Sequence, residues 1–187
     1  KNKNYIKKTL ASSYLTSGPV CEKAERLLKI KFKKKYAILT NSWTNGLITI
    51  LLSLKLKPDD EIIIPACTFV ACANVIEMVG AKVVFADIDP STKLMDINDC
   101  IKKITKKTKI IMPVHLYGNL FQTKNLKKKI RKNIIIIEDS AHAFCGEYHN
   151  NIIGKYSDFL VFSFYATKSI TCGEGGAIVT NHKFLSE

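Results

Sequence analysis

Arginine is nearly missing from this chain. Only Arg26 and Arg131 occur among 187 residues, so lysine carries almost all of a net charge of +13. Arginine's planar fork is the preferred partner of phosphates and base edges. A basic balance built without it argues against a dedicated nucleic-acid surface. The lysines gather at 102–109 and 124–132 among isoleucines and asparagines, and the same bias runs through the whole sequence. That is a compositional habit and a solvated surface rather than a designed patch. Long apolar runs are lacking too: none approaches the roughly 20 residues that a membrane helix needs. Cys21, Cys67, Cys72, Cys100, Cys145 and Cys172 form no C-x-x-C pair, which removes the common metal and redox spacings. They read as reduced, mostly packed thiols of a cytoplasmic protein. No G-x-G-x-x-G follows the first strand-like run and no G-x-x-x-x-G-K-[ST] occurs, so dinucleotide and NTPase readings have no support. There is no starting methionine, and Lys1-Asn2-Lys3-Asn4 lacks the apolar core of a signal peptide. With Lys183 to Glu187 reading as the start of a helix, both ends predict a piece of a longer chain.

What is present has a clear rhythm. Apolar residues make up 47% of the chain and charged residues 24%, as in ordinary globular domains. Seven β-rich runs recur: Tyr36–Thr40, Glu61–Ile64, Lys82–Asp87, Lys109–Val114, Asn133–Glu138, Asp158–Ser163 and Gly176–Thr180. The solid run Ile134 to Ile137 is that of a strand covered on both faces of a parallel sheet. Helical patterns lie between them. Val20, Ala24, Leu27, Leu28 and Lys31 share helical spacing behind Pro19, a first-turn residue. Thr44 to Leu54 is apolar nearly all round and predicts a deeply buried helix, capped by Asn41 or Ser42. Phe69 to Met78 is ended by Gly80, and Asp96–Ile104 and Asn125–Arg131 are more polar surface helices. Strands alternating with helices give βαβ units and an α/β layered sheet in one domain, residues 1–187.

Ligands of open parallel sheets bind at the carboxyl ends of the strands. The exceptional polar residues fall there: Ser42, Thr44 and Asn45 after the first strand, Thr68 and Phe69 after the second, His115 and Tyr117 after the fourth, Asp139 and His142 after the fifth, and Ser163 and Lys168 after the sixth. Singly, each has a bland account. Thr44 and Asn45 fit a helix cap, His115 and His142 fit core histidines, and Asp139 fits a turn. Together they put an amine, a carboxylate, an aromatic ring and hydroxyl groups along one sheet edge, near a helix start. Lys168 lies outside the lysine tracts, just before the glycine cluster Gly173 to Gly176. A lysine amine forms a Schiff base with an aldehyde. A carboxylate beside a pyridine ring keeps its nitrogen protonated and makes the ring an electron sink. An aromatic side chain can stack on that ring, and a phosphate suits the start of the Thr44–Leu54 helix. The combination suits pyridoxal 5′-phosphate.

Ser163-Phe164-x-x-x-Lys168 followed by Gly173-Glu174-Gly175-Gly176 resembles the lysine motif of the DegT/DnrJ/EryC1/StrS aminotransferases, pyridoxal-phosphate enzymes that aminate nucleotide-linked keto sugars. Leu15-Thr16-Ser17-Gly18-Pro19, Pro113-Val114-His115-Leu116-Tyr117-Gly118 and Glu138-Asp139-Ser140-Ala141-His142-Ala143 match in the family's order. The resemblance implies a three-layer α/β/α fold, the aspartate-aminotransferase-like large domain, with seven strands in a mostly parallel sheet and the last one antiparallel. It implies that Lys168 holds the cofactor as an internal aldimine and shuttles the substrate proton, and that Asp139 pairs with the pyridinium nitrogen. Phe69 would stack on the ring, His142 would lie near its phenolic oxygen, and Thr44, Asn45 and Ser163 would hold the phosphate. It also implies amino-acid and nucleotide-sugar substrates, glutamate as donor, a role in surface polysaccharide or secondary-metabolite synthesis, and a homodimer when full length. No metal, nucleic-acid or membrane partner is expected.

The chain departs from the family in three places. The usual Ser-Gly-Thr phosphate turn reads Ser42-Trp43-Thr44, and tryptophan does not take positive φ as glycine does. Ser169 replaces the usual asparagine. The smaller C-terminal domain that closes over the substrate is absent. Three rivals follow: a dehydratase, whose relatives carry histidine in place of Lys168; a catalytically incomplete fragment serving as a cofactor-binding or assembly module; and a basic nucleic-acid-binding protein, resting on net charge alone.

Overall fold

The seven β-rich runs become one sheet. In the computed structural model, which describes residues 2–144, 146–148 and 151–183, these are β1 (Tyr36–Thr40), β2 (Glu61–Pro65), β3 (Lys82–Ala86), β4 (Thr108–Ile111), β5 (Ile135–Asp139), β8 (Phe159–Ser163) and β9 (Gly176–Thr180). A separate two-stranded hairpin, β6 (Glu147–Tyr148) and β7 (Asn151–Ile152), precedes β8. The sheet order is β1-β9-β8-β5-β4-β2-β3. All neighbours run parallel except β9, which is antiparallel to both β1 and β8. Strand β1 therefore points the same way as β8, and its carboxyl end joins the common edge.

The period-2 alternation of strands splits the apolar side chains between two cores. On β8 and β9, Phe159, Val161 and Ile178 face one core together with Leu47, Ile50 and Leu51 of helix α3 (Trp43–Ser53) and Val75 and Ile76 of α4 (Ala71–Met78). Leu160, Phe162, Ala177 and Val179 face the other, against Leu28 and Phe32 of α2 (Pro19–Phe32). Phe32 stacks on Phe162 with ring centroids 4.7 Å apart. Each fully buried side chain of this size contributes about 1.5–3 kcal/mol. Two cores on the two faces of one sheet make the three-layer α/β/α arrangement that the resemblance implies.

Several boundaries differ from the sequence reading, each for a local reason. Strand β4 stops at Ile111, because Pro113 has no N–H to continue a ladder; Val114 only bridges to Asp139. Helix α3 begins at Trp43, and its cap is Ser42, whose Oγ accepts the Asn45 N–H at 3.1 Å. The helix expected from Phe69 starts two residues later, at Ala71. Gly80 follows it with φ 79, the left-handed stop that its position suggested. On α2 the buried residues are Leu28 and Phe32, while Val20 and Leu27 stay exposed. Helices α5 (Ile97–Lys102) and α6 (Thr123–Lys129) are short and polar; Asp96 caps α5 by accepting the Asp99 N–H at 2.8 Å. Helix α1 (Asn2–Leu10) and the β6–β7 hairpin lie outside the elements read from the sequence. Cys145 and residues 184–187, the expected helix start, lie outside the described residues. Among the described residues no helix is long and apolar enough to cross a membrane.

Candidate active site

The carboxyl ends of β1, β2, β5 and β8 surround a cavity of about 380 Å³. Its wall includes Ser42, Trp43 and Thr44 from the start of α3, and Thr68 and Phe69 from the loop after β2. Val114, Leu116, Asp139, Ala141 and His142 line the middle, and Ser163, Tyr165, Thr167, Lys168, Glu174 and Gly175 complete it. Of the residues singled out from the sequence, Ser42, Thr44, Thr68, Phe69, Asp139, His142, Ser163 and Lys168 converge here.

One end of the cavity is built for an anion. The first helical bond of α3 runs from the Gly46 N–H to the Ser42 carbonyl (3.1 Å). The Trp43 and Thr44 N–H groups precede it and have no intrahelical acceptor. With the Thr44 hydroxyl and the positive end of the helix dipole, they offer donors to a phosphate. Trp43 fits this turn because its position is the first of a helix and needs no positive φ; its side chain is buried in the core beneath. What holds the turn in place is Gly176. A Cβ there would lie 2.5 Å and 2.6 Å from the Ser42 carbonyl carbon and oxygen and 2.7 Å from the Trp43 nitrogen. The glycine lets the start of α3 sit directly on β9.

Asn45 does not join them. Its side-chain amide donates to Asn41 Oδ1 at 2.7 Å, its N–H is taken by Ser42, and the residue is not part of the cavity wall.

Asp139 ends β5 and is only 4% exposed. Its Oδ1 accepts the Ala141 N–H at 3.0 Å, and the Cys72 thiol approaches Oδ2 at 3.5 Å. It forms no ion pair with a described residue. Burial raises its carboxyl above the ordinary aspartate value, against the opposing pull of the Ala141 N–H, the Cys72 thiol and the two histidines His115 and His142. A buried carboxyl that faces a cavity with no cation beside it is matched by a ligand bearing a protonated ring nitrogen.

Lys168 stands half-buried in a turn after β8. The turn is closed by the Phe164 N–H to Gly175 O (2.8 Å), by the Cys172 N–H and Thr171 hydroxyl to Phe164 O (3.1 and 3.0 Å), and by the Lys168 N–H to Tyr165 O (3.0 Å). Gly173 takes φ 89 within it. Phe69, 69% exposed, stands at the mouth, where a flat ring could be covered. His142 accepts the Tyr117 N–H through Nδ1 at 3.2 Å and stacks on the Tyr117 ring. Its pKa lies below the ordinary histidine value through burial and the nearby Lys168 amine, partly offset by Asp139.

His115 takes the bland role. It is 1% exposed; its Nδ1 accepts the Phe121 N–H at 3.0 Å and its Nε2 meets Glu138 Oε2 at 3.2 Å. Glu138 also accepts the Gly154 N–H at 2.7 Å. Burial alone would raise the Glu138 carboxyl, but His115 and the Gly154 N–H outweigh it and hold the group below its ordinary value. The sequence reading passed over Cys72, Leu116, Tyr165 and Thr167. Cys72 lies 67 residues from the carboxylate that it touches, a pairing that no local pattern announces.

Comparison with known proteins agrees with this geometry. A profile of the DegT/DnrJ/EryC1/StrS aminotransferase family matches residues 1–187. The chain is 37% identical over 187 residues to GDP-perosamine synthase of Escherichia coli O157:H7, covering 99% of this chain and 51% of that protein. Among solved structures it resembles PseC of Helicobacter pylori, an aminotransferase involved in the biosynthesis of pseudoaminic acid. The TM-score is 0.93 at 34% identity, over 98% of this chain and 50% of that one. It also resembles NtdA of Bacillus subtilis with bound cofactor PMP, with a TM-score of 0.91 at 34% identity, over 98% of this chain and 42% of that one. The chain thus spans about half the length of the relatives it matches. It belongs to the DegT/DnrJ/EryC1/StrS aminotransferase family, whose enzymes depend on pyridoxal phosphate.

Proposed function

We propose that this family member binds pyridoxal 5′-phosphate in the cavity at the carboxyl edge of its sheet. Within the whole protein it would transfer an amino group from an amino acid, glutamate in the first instance, to a keto sugar carried on a nucleotide. One observation carries the reading: the Lys168 amine shares a cavity with a buried Asp139 carboxyl that forms no ion pair with a described residue. Kinship with GDP-perosamine synthase supports a nucleotide-linked substrate. The resemblance adds the large-domain assignment for residues 1–187 and a cytoplasmic homodimer for the whole protein.

The donor set fits the cofactor. Thr44, Ser163 and the free N–H groups at the start of α3 would hold its phosphate, and Phe69 would cover one face of its ring. Asn45 would act through its place in the first turn of α3, since its amide is turned to Asn41. When bound, the cofactor supplies an electron sink for the bonds of the substrate's amine-bearing carbon. Asp139 would keep the proton on the ring nitrogen; its buried, uncompensated carboxyl gains most from that partner. Lys168 would hold the cofactor through its Nζ and would carry a proton to and from the substrate carbon. The amine itself separates this reading from the dehydratase one, which has a histidine there.

Pyridoxal phosphate added to the purified chain should give an absorbance band near the visible edge, and Lys168→Ala should lose that band while keeping its circular dichroism. A well-folded wild-type chain that gives no band refutes the assignment. Turnover is measured on the whole protein, with glutamate and nucleotide-linked keto sugars; a folded protein that binds cofactor but transfers no amino group would instead support the module reading.

A further inference from the structure

Tyr117 is the strained residue at this site. Its φ of 53 and ψ of 26 lie in the left-handed region, and Gly118 follows at φ 83. Glycine occupies that region freely; an aromatic residue is strained there. The Tyr117 side chain is 81% exposed, so core packing does not offset this cost. What the conformation achieves is local: it turns the Tyr117 N–H onto His142 Nδ1 at 3.2 Å and lays the two rings in parallel, 5.8 Å apart at 9°.

A backbone N–H can only donate. His142 Nδ1 must therefore carry a lone pair, which leaves the ring neutral with its proton on Nε2. Nε2 has no hydrogen-bond partner among the described residues, and His142 lines the cavity. We propose that the left-handed Tyr117 turn is a positioning device that fixes His142 as its Nε2–H tautomer, so that this imidazole offers a neutral hydrogen-bond donor to an acceptor oxygen on the cofactor ring. The inference rests on the cofactor reading above and adds the element that sets the polarity of that contact. A neutral donor suits the site. Lys168 and Asp139 are the charged neighbours that act on His142, and Lys168 disfavours a second cation beside it. Nε2–H can stabilise a ring oxygen without giving up its proton, whereas the opposite tautomer would set two lone pairs facing each other.

The test uses the full chain labelled with ¹⁵N. Long-range proton–nitrogen correlation without cofactor should show His142 as a single Nε2–H tautomer, with a through-bond coupling from the Tyr117 amide to Nδ1. A protonated Nδ1, or nitrogen shifts averaged between the tautomers, overturns the inference. Tyr117→Pro removes the N–H and cannot take positive φ; it should release His142 to averaged shifts, and an unchanged single tautomer in the folded variant overturns the inference too. If that variant does not fold, the wild-type spectrum still decides. Pyridoxal phosphate is then added. A Lys168-dependent band together with a moved His142 Nε2–H resonance supports the inference, and the band without that movement overturns it while leaving the cofactor reading intact. No band in a folded chain fails both the cofactor reading and the contact that depends on it.

Discussion

Gly176→Ala is the sharpest test of how the anion end of the cavity is held. The residue needs no special φ; it needs space, because the added methyl would meet the Ser42 carbonyl at 2.5–2.6 Å and the Trp43 nitrogen at 2.7 Å. All three are backbone atoms, so no side chain can rotate away. Relief requires the start of α3 to lift off β9 by roughly 1 Å in a close-packed interior. Strand β9 cannot yield easily either, since Gly176 is paired with Thr40 on one side and Ser163 on the other. Overpacking of this kind costs about 1–3 kcal/mol, and the upper half of that range is expected here. In a chain of this size about 2–3 kcal/mol lowers Tm by roughly 4–12 °C. Because the displaced peptide leads into the Trp43 and Thr44 N–H groups, pyridoxal phosphate affinity should fall along with stability. Gly173→Ala is the control. Nothing lies within 4 Å of its added methyl, and only the strain of φ 89 remains, about 1–2 kcal/mol. Urea unfolding followed by circular dichroism, with a cofactor titration, measures both variants. If Gly176→Ala costs no more than Gly173→Ala and binds cofactor as the wild type does, the proposed seating of α3 on β9 is wrong.

Two carboxyl groups give further predictions. The Asp139 carboxyl is raised by burial, so the folded chain holds that proton more tightly than the unfolded one, and the contribution to stability is present below the ordinary aspartate range and lost as pH rises through the raised value. Asp139→Asn should therefore make the cofactor-free chain more stable at neutral pH and remove the fall in stability that sets in as pH rises above the ordinary aspartate range, while weakening cofactor binding; urea titrations at acid and at neutral pH check it, and a variant less stable than wild type at neutral pH contradicts it. Glu138 has the opposite sign: its lowered carboxyl stabilises above the ordinary glutamate range, and that contribution is lost as pH falls through the lowered value. Glu138→Ala strands the His115 Nε2–H and the Gly154 N–H in the interior and should cost about 1–3 kcal/mol for each donor left unpaired, with the acid limb of the stability profile diminished; a loss under about 1 kcal/mol would show that these bonds are not holding this face.

The strands were legible because their apolar runs are dictated by the layers that cover them. Ile134 to Ile137 reads as a doubly covered strand, and the structure buries Ile134, Ile136 and Ile137. The strand ends were legible as a group, since chemistry-bearing residues follow each run in turn. The sheet order was not, because nothing local in Gly176–Thr180 says that it pairs with both β1 and β8. Contacts between distant positions were hidden for the same reason: Cys72 reads only as a small apolar residue on a helix, and Gly176 as one glycine of a cluster. Asn45 and His115 show the limit from the other side. Both stand where a ligand-binding residue would stand, but side-chain direction decides their fate, and a neighbour (Asn41 for one, Glu138 for the other) claims them.

Glu138 and Asp139 show how structural and chemical roles separate within two adjacent residues. Both are buried carboxyl groups at the end of one strand, and strand geometry sends them to opposite faces. On one face Glu138 is fully answered by the His115 ring and the Gly154 N–H, and its acidity is strengthened. On the other, Asp139 receives one N–H and a weakly donating thiol, and its acidity is suppressed. Folding alone accounts for the first arrangement: a buried charge is stable when its partners are built in. Folding alone does not account for the second, since an asparagine or a leucine would cost less at Asp139. A residue that weakens the empty fold is explained by what it gains when a cation is placed before it. The cavity that Asp139 lines also holds a lysine outside every lysine tract, and the left-handed Tyr117 stacks on His142 in its wall, while on the opposite face of β5 Glu138 meets His115 and the Gly154 N–H.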